Sequence, residues 1–372
     1  MVPPELEKAL TVVVYPLPDR ETLLSFFDLL QHDLAGNPSL QFDNSEESRL
    51  RLLEAAIGMT MNEVENVFAQ VLVRRGRLGL SEVPEVYQEK RQIIRKSGML
   101  EYIQTHDRID GVGGLDLLKD WLRKRRRAFH PKALQFGLPM PKGVRFLGVQ
   151  GCGKSLCAKA VSQFWQMPLL RLDMGQLFGS LVGASEQNVR RAIQTAESVA
   201  PAILWIDEID KGFAGLASSG SSDAGTTSRV LGTLLTWLQE KLSPVFVIAT
   251  ANNVKVLPPE LLRQGRFDEI FFVDLPGSNE RAEIFRIHLK ARRRNPERFD
   301  LARLARLSKG FSGAEIEQAV ISALYDAFDQ QRDVDQAMIE HALATTTPLS
   351  VLMDKEIDRK RKWAQGRTRP AS

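Results

Sequence analysis

Four short apolar runs, each ending in turn-forming or charged residues, mark out the middle of this chain. Residues 144–149 run into a glycine-rich turn, and residues 202–206 end in acids. Residues 245–249 end at Thr250-Ala251-Asn252-Asn253, and residues 270–273 end near Pro276. Short apolar runs bounded by such punctuation, with stretches of helical period between them, predict buried strands joined by helices in a mainly parallel sheet. This α/β pattern occupies residues 106–276. Residues 277–345 read as helices throughout, residues 346–372 as a basic tail, and residues 1–105 as a separate N-terminal segment. In open parallel sheets, ligands bind at the carboxyl ends of the strands. The four run ends are therefore expected to converge on one site.

Composition narrows the class. At 43% hydrophobic and 26% charged residues, the chain reads as a soluble globular protein. No apolar run has membrane-spanning length, and the opening MVPPELEKAL lacks the basic and apolar blocks of a secretory signal. A cytoplasmic compartment is expected, or a plastid stroma, which would look the same. The net charge of +4 does not by itself indicate a nucleic-acid binder. The two cysteines, Cys152 and Cys157, cannot build a disulfide framework, which fits a reducing compartment.

The first run end carries chemistry. Gly148-Val149-Gln150-Gly151-Cys152-Gly153-Lys154-Ser155 matches G-x-x-x-x-G-K-[ST], follows a predicted strand and opens a predicted helix at Leu156. Glycines let the loop curl so that its N–H groups face phosphates, and the helix N-terminus adds its positive end. Lys154 would place a charge on the β- and γ-phosphates, and Ser155 would offer a hydroxyl to Mg²⁺. The bland reading is a glycine-rich turn with a surface lysine, and the flanking strand and helix argue against it. Cys152 has two readings: a thiol activated by the helix N-terminus, or a small residue that fits the loop.

The second run ends at Asp207-Glu208, roughly fifty residues further on. There Asp207 would join the Mg²⁺ shell and Glu208 would orient and polarise a water. Asn252 ends the third run. A neutral amide there can hold a water or the γ-phosphate, although asparagine at a strand end is more often a turn residue. Arg263 and Arg266 flank Gly265. They can stand at a subunit edge and reach a neighbour's γ-phosphate, or they can be surface salt bridges.

In this order the motifs resemble the AAA ATPases. The stretch 249–268, with Asn252, Arg263 and Arg266, is similar to the region that separates AAA proteins from other P-loop enzymes. The segment Gly111-Val112-Gly113-Gly114-Leu115 looks like the AAA element that contacts adenine, here through Val112 and Gly113. Gly313 and Ala314 stand where AAA lids touch the nucleotide. More narrowly, Gln150 within the phosphate loop, Trp205 within the acidic strand and Ala224-Gly225-Thr226-Thr227 resemble the divergent AAA proteins of cyanobacteria and algal plastids, a hypothetical chloroplast reading-frame family. The resemblance implies a P-loop NTPase domain with a parallel sheet, followed by an α-helical AAA lid. It also implies ATP and Mg²⁺ as ligands and a homo-oligomeric, hexameric ring with ATP between subunits. Lys154, Ser155, Asp207, Glu208 and Asn252 would lie on one side, and Arg263 and Arg266 would come from the neighbour. Leu181 stands where protein-threading members carry an aromatic pore residue, which puts vigorous unfolding in doubt.

A faint internal repeat adds to this. Residues 58–66 echo residues 310–318, and residues 12–18 echo residues 271–276. One reading makes the N-terminal segment a degenerate AAA remnant, a last strand and a lid without a phosphate loop; the other is chance similarity of amphipathic segments. The basic run 123–127 shares its segment with an apolar stripe of Leu118, Trp121, Leu122 and Phe129, so its charges read first as a solvated face and second as a nucleic-acid contact. The basic tail, with Arg359, Arg361, Arg367 and Arg369, is expected to fray. Residues 215–228, rich in glycine and serine, read as a mobile loop that touches substrate or merely connects. The expected activity is Mg²⁺-dependent ATP hydrolysis by a ring that remodels a protein partner. The alternatives are a slow nucleotide-dependent switch and a nucleic-acid motor or loader.

Overall fold

The computed structural model describes residues 18–96, 98–105, 109–129, 131–174, 177, 184–214, 221–263 and 265–372. The chain divides into two compact units, Met1–Lys96 with Ser198–Ala200, and Ser97–Glu197 with Pro201–Ser372.

The first unit is helical. Its elements are α1 (Arg20–Leu34), β1 (Gln41–Phe42), α2 (Glu46–Ala56), α3 (Met61–Arg75), β2 (Arg77–Leu78) and α4 (Val83–Lys96), with β1 and β2 paired in parallel. Phe27 of α1 packs edge-on against Phe68 of α3 and Phe42 of β1, with centroids 6.3 Å apart in both pairs. Around them Leu23, Leu52, Val64, Val71 and Val86 close a core. The expected strand upstream, residues 12–18, lies outside the described residues except for Pro18.

The second unit carries a seven-stranded sheet ordered β3-β5-β6-β7-β4-β8-β9. Its elements begin with β3 (Leu100–Ile103), α5 (Asp116–Arg126), α6 (Pro131–Gln135), β4 (Gly143–Gly148), α7 (Lys154–Trp165), β5 (Leu169–Leu172) and α8 (Ala184–Ser198). They continue with β6 (Ala202–Ile206), α9 (Lys211–Ala214), α10 (Ser221–Glu240), β7 (Val245–Ala251), α11 (Pro259–Leu262) and β8 (Glu269–Val273). All neighbours are parallel except β3, which runs antiparallel to β5. Strands β4, β6 and β7 are buried at every residue, as covering both faces of a sheet requires. Trp121, Phe146, Trp165, Phe246 and Phe271 fill one face. Because β7 lies between β4 and β6, its carboxyl end stands between the phosphate loop and the acids.

The helical region comprises α12 (Ser278–Ala291), α13 (Leu301–Leu307), α14 (Gly313–Asp329) and α15 (Gln336–Thr345), packed around Phe285, Leu304, Ile316, Val320 and Ile339. Helix α14 starts with a capping box, Ser312 and Glu315 satisfying each other's orphan N–H groups, and α3 starts with the same device from Thr60 and Glu63. Two residues upstream of each N-cap stands a glycine in the left-handed region, Gly58 at φ +86° and Gly310 at φ +85°. The two segments that echo each other in sequence therefore launch their helices with the same local geometry.

Two expectations are corrected. The basic tail is not frayed: it forms α16 (Leu349–Leu352), α17 (Asp354–Ala364) and β9 (Arg369–Pro370), which extends the sheet beside β8. Ile357 and Ala371 join the apolar core, and the Leu118 N–H bonds Ala371 O at 3.0 Å. Charge density hid these sparse apolar anchors. The glycine- and serine-rich stretch 215–228 is not loop throughout, since α10 begins at Ser221. Serine and aspartate residues suit a helix start as well as a loop. Leu181 and residues 215–220 lie outside the described residues.

Candidate active site

The turn after β4 is held so that no side chain could replace its first glycine. Gly148 has φ +143°, and a Cβ there would lie 2.0 Å from Val273 O of the neighbouring strand. At Gly151, φ +73°, a Cβ would press within 2.8 Å of Ser312 Oγ, so the loop and the start of α14 meet closely. The Ala314 N–H seals that approach by donating to Gly151 O at 3.0 Å. Helix α7 then starts from Gly153, with no side chain capping its first N–H groups. Those donors are left for a ligand.

Lys154 folds back from the start of α7. Its Nζ donates to Val149 O at 2.6 Å and Gly148 O at 3.3 Å. Burial lowers its pKa to about 8, and among the described residues it has no ion-pair partner. A desolvated cation without a salt bridge, beside uncapped helix amides, fits a polyphosphate.

The acids gather opposite. Ser155 Oγ donates to Asp207 Oδ1 at 3.2 Å, and Thr250 Oγ1 donates to the same oxygen at 2.6 Å. Thr250 Oγ1 also accepts from the Glu208 N–H at 2.9 Å. Glu208 sits at φ +47°, uncommon for a residue with a Cβ, and its turn is what lets both acids leave the end of β6 toward one place. Its Oε1 accepts from Asn252 Nδ2 at 3.1 Å, and its Oε2 lies 2.5 Å from Lys211 Nζ. The buried Asp210 carboxylate accepts from the N–H groups of Asn252 and Asn253, at 3.2 and 2.9 Å, and so fixes the end of β7. The hydroxyl of Ser155 and the carboxylate of Asp207 are the hard oxygen donors that Mg²⁺ takes in small number alongside phosphate.

These groups line a cavity of about 610 Å³, within the range of nucleotide-sized sites. Gln150, Gly151, Cys152, Gly153, Lys154, Ser155, Leu156, Asp207, Glu208 and Asn252 form one side; Val112, Gly113, Gly313 and Ala314 lie on the rest of the wall. Gly148 and Val149 sit beneath it and contribute carbonyls to Lys154. The structure does not bring Arg263 or Arg266 to this wall. Arg263 is exposed, and Arg266 Nη1 donates to Glu260 O. Their segment is fixed by Asp268, whose carboxylate accepts from the Lys142 and Gly143 N–H groups at 2.8 and 3.0 Å, and by Arg145, stacked 4.7 Å from the Phe267 ring. Cys152 departs from the activated reading: burial pushes its thiol up to about 12. Both cysteines are free and buried.

Sequence reasoning missed part of the wall. Thr250 is a polar residue in an otherwise apolar buried strand, and that was its signal. Asp274, Glu280, Ile284, His288 and Glu317 also line the cavity. Glu280 accepts from the Leu115 N–H at 3.2 Å, tying the segment that begins at Gly111 to α12. His288 is held below the usual imidazole range by burial, with Glu317 opposing and Arg292 reinforcing the shift.

Comparison with known proteins sets this geometry in a family. Residues 144–275 match the profile of the ATPase family associated with various cellular activities (AAA), and residues 298–341 match the AAA+ lid domain. The AAA domain-containing protein ycf46 of Pyropia yezoensis is 42% identical across the whole chain, which covers 74% of that relative. The ycf46 protein of Trieres chinensis is 44% identical, again across the whole chain and over 73% of its own length. The chain belongs to the ycf46 family of AAA proteins. Within this ycf46-type chain, residues 28–97 also match the SpoVK-like AAA ATPase second domain. A proteasome-activating nucleotidase of Aeropyrum pernix is 36% identical over 52% of the chain and 47% of its own length. Nucleotide binding follows for this ycf46 member from the family. No described helix is long and apolar enough to cross a membrane.

Proposed function

We propose that the chain is a Mg²⁺-dependent ATPase that assembles into a ring, with ATP bound between subunits, and uses turnover to remodel a protein partner. The observation that carries this reading is the gathering of Lys154, Ser155, Asp207, Glu208 and Asn252 around one cavity, the last four joined by hydrogen bonds through Thr250. A bare phosphate-binding loop has no need of an acid and an amide held 3.1 Å apart at its mouth; a hydrolase does.

ATP would lie with its phosphates against the α7 amides and Lys154, and with its base toward Val112, Gly113, Gly313 and Ala314. Mg²⁺ at Ser155 and Asp207 would neutralise phosphate charge. Glu208 orients the attacking water and takes its proton, while Asn252 holds the water in line with the γ-phosphate. Lys154 stabilises charge as it develops on the transferred phosphoryl group. Arg263 and Arg266 do not line their own cavity and act on a neighbour's γ-phosphate. The contact between Ala314 and Gly151 couples the loop to the helices of residues 277–345, so loss of phosphate is felt by the lid.

A protein partner is favoured by the relative over half the chain whose name describes a nucleotidase that activates a proteasome. The segment 1–105 is a degenerate AAA remnant in this reading, supported by the matched capping boxes of α3 and α14 and by the profile match at residues 28–97. We place the protein in the cytoplasm or a plastid stroma. The deciding test is to size Glu208→Gln with and without ATP. This variant should bind ATP and run as a ring only with the nucleotide. An ATP-bound variant that stays monomeric at high concentration would end the ring reading.

A further inference from the structure

The charge of this chain is unevenly placed. Residues 116–132 hold seven basic residues against two acidic, and residues 354–372 hold seven against three. These two segments carry a net nine positive charges where the whole chain carries four, so everything else is net negative by five. They lie far apart in sequence, and the fold brings them side by side. The Leu118 N–H of α5 donates to Ala371 O, just after β9, at 3.0 Å. Beyond it, Arg125 stacks 4.0 Å from the Trp121 ring, Trp121 meets Phe271 edge-on at 5.6 Å, and Arg369 lies 5.8 Å from Phe271. One guanidinium from each basic segment is thus set on a shared pair of buried rings.

We propose that α5 and the C-terminal segment form a binding surface for the phosphate backbone of a nucleic acid. Some of the charge is spent internally. Lys124 pairs with Asp120, Lys362 with Asp358 and Arg361 with Asp274, while Arg369 lies 3.8 Å from Glu269. What remains is still concentrated. Arg123, Arg127, Lys355 and Arg359 are exposed and have no ion-pair partner among the described residues. A stable fold needs no such excess, and like charges four residues apart on one helical segment repel unless an anion relieves them.

The surface also says how the partner is read. Trp121 and Phe271 are buried beneath the arginines, so these rings are not free to stack on bases. Guanidiniums and ammonium groups are left to meet phosphates, and recognition is of backbone rather than sequence. Arg123, Arg127, Lys355 and Arg359 are not among the residues that line the nucleotide cavity, and the proposal does not depend on ATP hydrolysis.

The test is fluorescence anisotropy with a labelled 20-nucleotide RNA and a labelled DNA duplex, on the full chain, at several salt concentrations. Arg123→Glu/Arg127→Glu is compared with Arg306→Glu/Lys309→Glu, which makes the same charge change on exposed lid residues. Labelled ATP binding is followed in parallel, so that misfolding is seen separately. Binding should be indifferent to sequence. It should weaken more than about tenfold in the first variant, with a salt slope shallower by one to two, and stay near the wild-type value in the second. Tight RNA binding with weak duplex binding would name single strands as the ligand; the reverse would name duplexes. The proposal is overturned if neither probe binds at low salt. It is equally overturned if both variants weaken alike, or if phosphatidylserine vesicles bind at this surface and nucleic acid does not.

Discussion

Asn252 Nδ2 donates to Glu208 Oε1 across 3.1 Å, joining the end of β7 to the turn after β6. This places a neutral donor and an ionisable acceptor at one point of the cavity wall, the arrangement that aligns a water. Asn252→Ala should leave ATP affinity within a few-fold of wild type and reduce kcat by about a hundredfold, the usual cost of losing one preorganised donor in the transition state. Steady-state kinetics beside equilibrium binding of labelled ATP separates the two effects. A large loss of affinity with kcat unchanged would assign Asn252 to ground-state binding instead.

Lys154 gives a pH signature. Burial holds its pKa near 8, below the ordinary lysine value of 10.5. Phosphate favours the charged form, so binding should raise this pKa and draw in a proton wherever the free protein has released it. At pH 7 the free lysine is already largely charged and uptake should be small; at pH 8.5 it should reach about three-quarters of a proton. ATP affinity should fall as pH rises above 8, by up to about tenfold per unit. Calorimetry in two buffers of different ionisation enthalpy measures the uptake. The same shift makes the fold gain stability as pH rises from 8 toward 10.5, because the folded state sheds this proton before the unfolded chain does.

The legible part of this site was the part written in backbone-demanding residues. Gly148, Gly151, Gly153 and Lys154 occupy positions whose geometry allows few substitutes, and the acids at the end of β6 stand out against an apolar run. Strand β5 was less visible because Arg171 interrupts it, and β9 because it is two residues long and basic. The supporting residues were hidden for a different reason. Thr250, Asp210, Asp274 and Glu280 do their work by accepting or donating across elements that are distant in sequence, and no local pattern records such a partner. The reverse holds for Arg263 and Arg266. They are expected from the order of motifs, and a single copy of the chain does not put them on the cavity wall.

The C-terminal segment fastens the cavity from outside. Arg361 forks onto Asp274, with Nε and Nη2 at 2.7 and 2.9 Å from its two oxygens, and Ser372 Oγ donates to Glu280. Both acids line the cavity. Arg361→Ala would free the Asp274 carboxylate, leaving an uncompensated negative charge beside the phosphates. ATP affinity should drop by about three- to tenfold, more at low salt than at high salt, with little change in melting temperature, since an exposed pair contributes about 1 kcal/mol or less to stability. Arg361→Lys should recover only part of the affinity, because a single ammonium cannot replace the fork. Titrations of labelled ATP at two ionic strengths check this.

Arg263 and Arg266 permit a test that uses two inactive proteins. If each cavity is completed by a neighbour's arginines, Arg263→Ala should bind ATP and turn it over about a thousandfold more slowly, the scale expected when such an arginine is lost. Glu208→Gln should be inactive for the other reason, lacking the group that activates water. In a mixed ring, an Arg263→Ala subunit still supplies Glu208, and a Glu208→Gln neighbour still supplies Arg263. Some cavities are then complete. Mixing the two variants should therefore restore turnover to a measurable fraction of wild type, greatest near equal proportions, although each protein alone is nearly inactive. Arginines acting within their own subunit would give no recovery at any ratio.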